Sequence, residues 1–544
     1  MGDRHDERRA PRDIDPTSPD PLELDGSQDF DDEAPIADDE SPRPHVPTAE
    51  ERAVEAAAAS AAAAGDIAVD ASLTDREAAA NDAAEVERRI ERGDVLRWSL
   101  RGVAGLATVG VCIAAVLGAG ALPDGVSARA EPPSTLVQPA SPLQSRVCAG
   151  PALRVGSADG QDALALAAVA DGSTATGSLG GEITARELVI PGSEALAGGA
   201  AIEQRGEAST LSAAEGLDVD VDAVRGFAAS ECAETSLDQW LVGGSTRTGR
   251  QSVLTIANAS EVGASVDVAV YGPEGQVETV GSSGIAVAPG SQEVLDLAAI
   301  APGVDGVVVH VAASGAPVTA HLQQTTTRGL ERGGFDVVDP VLALPAATLP
   351  GVGLIEPTGI ETGEDYDDTV PVLRLLSPTG GDVRVRILGP DGTTTESPGV
   401  LEAGRVTDFP LEEIAVGSVA IRVEADAPVV AGARTVALAD DGIDFDWVAG
   451  GQPRSGTAAI AVPDGPGATL HVVSEAAADQ EVVIGGERIS LPAGAMLERR
   501  VGPGAVEVTG ESIVLAVAYR SESAVGGFTA SPQGPTAAGV LVLH

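Results

Sequence analysis

Beyond about residue 145 the chain alternates apolar and polar positions in short runs, as in Ser252-Val253-Leu254-Thr255-Ile256, Ser265-Val266-Asp267-Val268-Ala269-Val270 and Val307-Val308-Val309-His310-Val311. A period of two, carried by β-branched residues and bounded by Gly, Pro and Asp, predicts β-strands joined by tight turns. Two turns share one form, Gly272-Pro273-Glu274-Gly275 and Gly389-Pro390-Asp391-Gly392, and they expose an internal repeat. Its copies run over 251–322, 371–433 and, in shorter form, 468–520. Each is followed by a similar phrase: Gly333-Gly334-Phe335-Asp336, Gly442-Ile443-Asp444-Phe445 and Gly526-Gly527-Phe528. Starts roughly 100 to 120 residues apart match the length of one β-sandwich module. The expectation is an all-β region of tandem Ig-like β-sandwich modules at 236–340, 341–450 and 451–544, with a β-propeller of two blades per repeat as the alternative. Region 146–235 is less regular and reads as a divergent N-terminal β module.

The first 145 residues follow other patterns. Residues 1–47 are rich in Asp, Glu, Pro and Ser and carry too little apolar area to offset the entropy of ordering, so a disordered acidic tail is expected. Ala, Glu and Arg dominate 48–101, where Thr74-Asp75-Arg76-Glu77 has capping-box spacing, and a helical juxtamembrane segment is expected. From Gly102 to Leu122 the chain carries no charge, and at about 1.5 Å per residue this stretch reaches across a bilayer core of roughly 30 Å. Arg88, Arg89, Arg92, Arg97 and Arg101 crowd its N-terminal side, whereas Arg129 is the nearest cation beyond its other end. The positive-inside rule then places the N-terminus in the cytoplasm and the rest of the chain outside. A buried core helix is the competing reading of 102–122, and cleavage after Ala130, at the small-x-small site Ala128-Arg129-Ala130, is a further alternative. A Pro-rich spacer occupies 123–145.

Composition narrows the partners. Acidic residues number 82 against 33 basic ones, for a net charge of −49, so the field of the chain repels phosphate backbones and no nucleic acid is expected. Aromatics are 2% of residues, which leaves few platforms on which bases or sugars stack. Cys112 falls inside the apolar stretch. Cys148 and Cys232 remain as a pair on the exported side, where an oxidising exterior favours a disulfide over two free thiols.

The search for chemistry yields little. His310, His321, His471 and His544 sit in no metal spacing or catalytic motif, and Ser252 and Ser521 lie outside any Gly-x-Ser-x-Gly elbow. Three carboxylate clusters stand out: Asp218, Asp220 and Asp222; Glu361, Glu364, Asp365, Asp367 and Asp368; and Asp440, Asp441, Asp444 and Asp446. Calcium takes six to eight oxygens, which makes Glu364, Asp365, Asp367 and Asp368 weak calcium candidates, but none of the clusters follows the EF-hand loop. Solvated loop charge is the favoured reading of all three. No catalytic residue and no cofactor is expected.

One resemblance emerges from particular phrases. Trp240-Leu241-Val242-Gly243-Gly244-Ser245-Thr246, followed by the strand Arg250–Asn258, resembles the signature of the domain-of-unknown-function family 5719: an aromatic strand, Gly-Ser-Thr, then a strand ending in Asn. Pro317-Val318-Thr319-Ala320-His321 is similar to that family's closing strand, and Ala427-Pro428-Val429-Val430-Ala431 repeats it. The resemblance covers about residue 146 to the end; the second and third units depart from it, with Pro378 or Glu475 near the usual Asn. It implies an actinobacterial protein anchored by one N-terminal helix, β-rich outside and without an assigned activity. The expected function is a non-enzymatic, single-pass membrane protein of the cell envelope with a structural or protein-interaction role. Its partners would be the lipid bilayer through 102–122 and envelope proteins or glycan. An envelope glycan-binding or glycosyltransferase-accessory module is the alternative, for which only Trp240 and Trp447 are available, and an envelope hydrolase is a third.

Overall fold

The computed structural model describes residues 134–137, 143–532 and 540–543, apart from 157–161, 163–164, 194, 206–209, 222, 328–331, 356–369, 390, 412–415 and 440–441. The expected tail, juxtamembrane segment and span 102–122 lie outside the described residues, as do most of the spacer, the calcium candidates Glu364, Asp365, Asp367 and Asp368, and His544. Among the described residues the protein is all-β, with one short helix at Leu297–Ile300 and no helix long and apolar enough to cross a membrane.

The alternation seen along the chain becomes one-sided burial. In Ala264–Gly272, Val266, Val268 and Val270 point into the core of the first repeat, while Ser265 and Asp267 face water. That core is closed from the opposite sheet by Leu254, Ile256 and Leu322. Each such side chain contributes roughly 1.5–3 kcal/mol of transfer free energy. The second and third repeats have cores of the same kind, around Leu373, Val385, Ile421 and Ala431, and around Leu470, Val482, Val508 and Leu515.

A bend distinguishes the repeats. In the first, the strand Val308–Ser314 stops at Gly315, whose φ of 85° suits glycine, and Pro317; the chain resumes as Thr319–Thr326 in a different sheet. In the second, the corresponding stretch is one strand of 23 residues, Gly417–Ala439, which pairs with Gly381–Leu388 through its first half and with Gly442–Ala449 through its second. The third uses Gly504–Arg520 in the same way. A strand that changes partners midway turns a corner between packed sheets.

The expected N-terminal module is not a separate bead. Its strands Leu143–Val147, Ala197–Arg205 and Glu182–Val189 continue into Ser291–Asp296, Arg250–Asn258, Thr319–Thr326 and Phe335–Val338 of the first repeat as one seven-stranded sheet. A disulfide joins Cys148 to Cys232 and ties the two ends of this segment.

The phrases that close the repeats are strands: Phe335–Val338, Gly442–Ala449 and Val525–Ala530. A fourth, Val224–Glu231, carries Gly226-Phe227 and comes from the N-terminal module. These four strands touch in cyclic order, the Phe227 strand against the Phe335 strand, then the Phe445 strand, then the Phe528 strand, which returns to the first. The N-terminal module therefore packs on the third repeat as well as the first. Ala214, Phe227 and Ala229 share a core with Ile460, Leu515 and Tyr519, and the Ala461 amide donates to Ser212 Oγ at 3.1 Å.

Candidate functional site, a buried carboxyl cluster

Where the four strands converge, the interior is acidic. The Phe445 strand brings Asp444 and Asp446, the Phe335 strand brings Asp336 and is followed directly by Asp339, and the Phe227 strand ends at Glu231; all five are buried. This corrects the reading of Asp444 and Asp446 as solvated loop charge. Every residue of Gly442–Ala449 is buried, because this strand is enclosed on both faces and not one. Asp218 and Asp220 of the first acidic cluster are exposed as expected, but on a strand.

Asp444 connects three segments of chain. Its Oδ2 accepts from the amides of Phe227 at 3.0 Å and Val525 at 2.9 Å, and its Oδ1 accepts from Phe335 at 3.4 Å. Burial raises its pKa well above the usual carboxylate range, against the pull of these donors, which favour the charged form. Beside it, the charge of Asp336 bears on Asp446, and the Trp447 amide donates to Asp336 Oδ2 at 2.9 Å. Burial raises Asp336 to about 7, and burial together with the charges of Asp336, Asp444 and Asp339 raises Asp446 well above its ordinary value.

Asp339 and Glu231 extend the cluster outward. Asp339 Oδ2 accepts from the Glu231 amide at 3.0 Å, and Glu231 Oε2 accepts from the Ser531 amide at 2.9 Å. His321 Nε2 donates to the Glu231 carbonyl at 3.1 Å and lies 3.8 Å from Asp339 Oδ1. Its burial lowers the imidazole to about 4, so the ring is neutral. Burial likewise raises Asp339, and the charges of Glu231 and Asp336 raise it further.

The glycines of the closing phrases follow from this crowding. A Cβ on Gly226 would run into the Asp444 carboxylate, and one on Gly526 into the Phe227 carbonyl. A second polar centre supports Trp447. Its Nε1 donates to Gln324 Oε1 at 2.9 Å, and the Arg374 guanidinium lies 4.5 Å from the ring centroid. Arg374 forms a two-pronged pair with Asp408, both bonds 2.8 Å, and donates to the Gly244 carbonyl at 2.9 Å. Burial would raise Asp408, but the adjacent guanidinium holds it below its ordinary value.

The other residues singled out by sequence are dispersed. His310 is near the surface, 2.9 Å from Asp238 Oδ2 and stacked on Trp240 with ring centroids 4.1 Å apart. His471 is buried beside Glu498, and burial lowers it to about 4. Ser252 Oγ bonds the backbone of Ser245, and Ser521 Oγ caps a turn by accepting from the Ala524 amide. Both Trp240 and Trp447 are buried, so neither presents a face to a sugar. Among the described residues no three His, Cys, Asp or Glu side chains form a group that could hold a metal ion. The cluster's chemistry is to hold protons and to accept backbone hydrogen bonds.

The fourth closing strand lies outside the three repeats, and its sequence signal is Arg225-Gly226-Phe227, a Gly-Phe step of the same form in a segment whose flanks differ from theirs.

A family model, described as a family of unknown function (DUF5719), matches residues 189–487. No curated protein and no solved structure matches the chain.

Proposed function

The chain belongs to the family of unknown function DUF5719, and from that premise we propose that it is a non-catalytic, membrane-anchored scaffold whose β-rich body stands outside the cell and holds envelope proteins. In this reading 1–101 is cytoplasmic, 102–122 spans the membrane, and the body consists of Ig-like repeats drawn around their closing strands. One observation carries it: the carboxyls with the most perturbed protonation are enclosed between four segments of chain and bond backbone amides of their neighbours. Perturbed carboxyls often mark catalysis. Here their hydrogen bonds join strands, which is an architectural use. The Cys148–Cys232 disulfide supports an oxidising location.

Protease added to intact cells is expected to digest the β body and spare the acidic head; digestion of the head alone would overturn the topology. Crosslinking in intact cells followed by identification of the attached proteins tests the scaffold role. Recovery of defined envelope proteins is the expected result, and hydrolytic activity of the purified chain on envelope glycan would overturn it.

A further inference from the structure

The second and third repeats each send one side chain from the middle of a central strand into the repeat that precedes it. In the second this is Arg374, on Val372–Leu376, paired across the sheet with Asp408. In the third it is His471, on Thr469–Ser474, paired in the same register with Glu498. Both are buried, and a glycine of the preceding repeat makes room for each. A Cβ on Gly306 would meet the Arg374 guanidinium, and one on Gly351 would meet the His471 ring.

The two joints differ in charge. An arginine stays charged at any pH a protein meets, and Arg374 sets that charge against Asp408 and the carbonyls of Gly244 at 2.9 Å and Val307 at 3.2 Å. The His471 Nδ1, by contrast, is buried without a hydrogen-bond partner and stands 3.7 Å from Glu498 Oε1. Arg500 shares the Glu498 face of the neighbouring strand Met496–Arg500, and the positive charge of Arg520, at the end of Gly504–Arg520, also bears on the ring. From the second repeat, the strand Leu344–Leu354 packs against His471 and holds no titratable residue. Asp446 acts on Arg520, which bonds Thr435 at 3.3 Å, and Glu475, just past the histidine's strand, is engaged by Thr348 and Arg422.

A proton added to His471 in the closed joint places a cation beside Arg520 where the ring is shielded from solvent, and the half-buried Glu498 offsets only part of that charge. Opening the joint lets water reach the imidazolium. We propose that His471 makes the joint between the second and third repeats acid-sensitive, its protonation favouring separation of Thr469–Ser474 from Leu344–Leu354, while Arg374 holds the corresponding joint between the first and second repeats closed. This device is independent of the scaffold reading.

Amide hydrogen exchange of the full-length chain, read by mass spectrometry at pH 7 and pH 5 and corrected for the intrinsic rate, tests this on the parent and His471→Gln. A ring that titrates at 6.5 in the open joint and at about 4 in the closed one raises the opening constant about twentyfold over this interval. Asp446, raised by burial, acts in the opposite sense but is present in both proteins, so the ratio of parent to variant isolates the histidine. That ratio is expected to rise at least tenfold from pH 7 to pH 5 in Thr469–Ser474 and Leu344–Leu354 and to stay constant in Arg250–Asn258 of the first repeat. A ratio that ignores pH, or that changes equally in all three segments, would overturn the proposal. Should His471→Gln fail to fold, C2-hydrogen exchange of the imidazole in the parent carries the test: a midpoint well below 6.5 is expected, and one at 6.5 or above overturns it.

Discussion

A single carboxylate, Asp444, takes backbone hydrogen bonds from three strands that lie far apart in sequence. Removing it in Asp444→Ala leaves those buried amides without an acceptor, at about 1–3 kcal/mol each, so a loss of at least about 3 kcal/mol is expected in urea denaturation. Gly226→Ala places a methyl group against the same carboxylate. Overpacking of this sort costs about 1–3 kcal/mol, and a variant as stable as the parent would show that the strands can separate freely. These residues were in view in the sequence, but their setting was not. Asp444 and Asp446 stand with Asp440 and Asp441 in one run of carboxylates, which reads as solvated loop charge. Composition cannot tell a loop in water from a strand enclosed by three others.

Strands carry the next level. The turns and alternation located most of them, since each buries one face against a sheet packed opposite. The partner change in Gly417–Ala439 was not legible, because Asp426-Ala427-Pro428 stands where the first repeat has the break at Gly315-Ala316-Pro317. The first repeat breaks there and the second runs through, a difference decided by the sheets on either side. The disulfide belongs to this scale as well. It encloses a segment whose cysteines are 84 residues apart, and replacing both with alanine is expected to lower stability by roughly 2–5 kcal/mol. Unchanged melting of the double variant under oxidising conditions would show that the shared seven-stranded sheet alone holds the N-terminal segment.

For the whole molecule, the acidic interior predicts an unusual pH dependence. Asp336 and Glu215 are raised by burial to about 7 from ordinary values of 3.8 and 4.5, and Asp339, Asp444 and Asp446 rise with them. Between about pH 4 and 7 the folded chain keeps protons that the unfolded chain releases, so these groups stabilise most at the acid end and lose that contribution as pH rises. His321 and His471, lowered to about 4 from 6.5, act in the opposite sense over pH 4 to 6.5. Above that window only the carboxyls still oppose folding. The melting temperature is therefore expected to fall between about pH 6.5 and 8. Asp336→Asn, which removes one of these titrating carboxyls, is expected to flatten the fall. A melting temperature that rises with pH over this range would contradict the burial of these groups.

The sequence by itself determined the strand grammar, the repeat, the cysteine pairing and the absence of a recognisable catalytic motif, because each depends on local spacing or composition. Only the tertiary structure decided that the closing phrases meet, that a fourth copy comes from the N-terminal module, and that acidic residues read as solvated charge hold protons at the centre. The physical reason is that burial and protonation depend on what packs against a residue from distant parts of the chain.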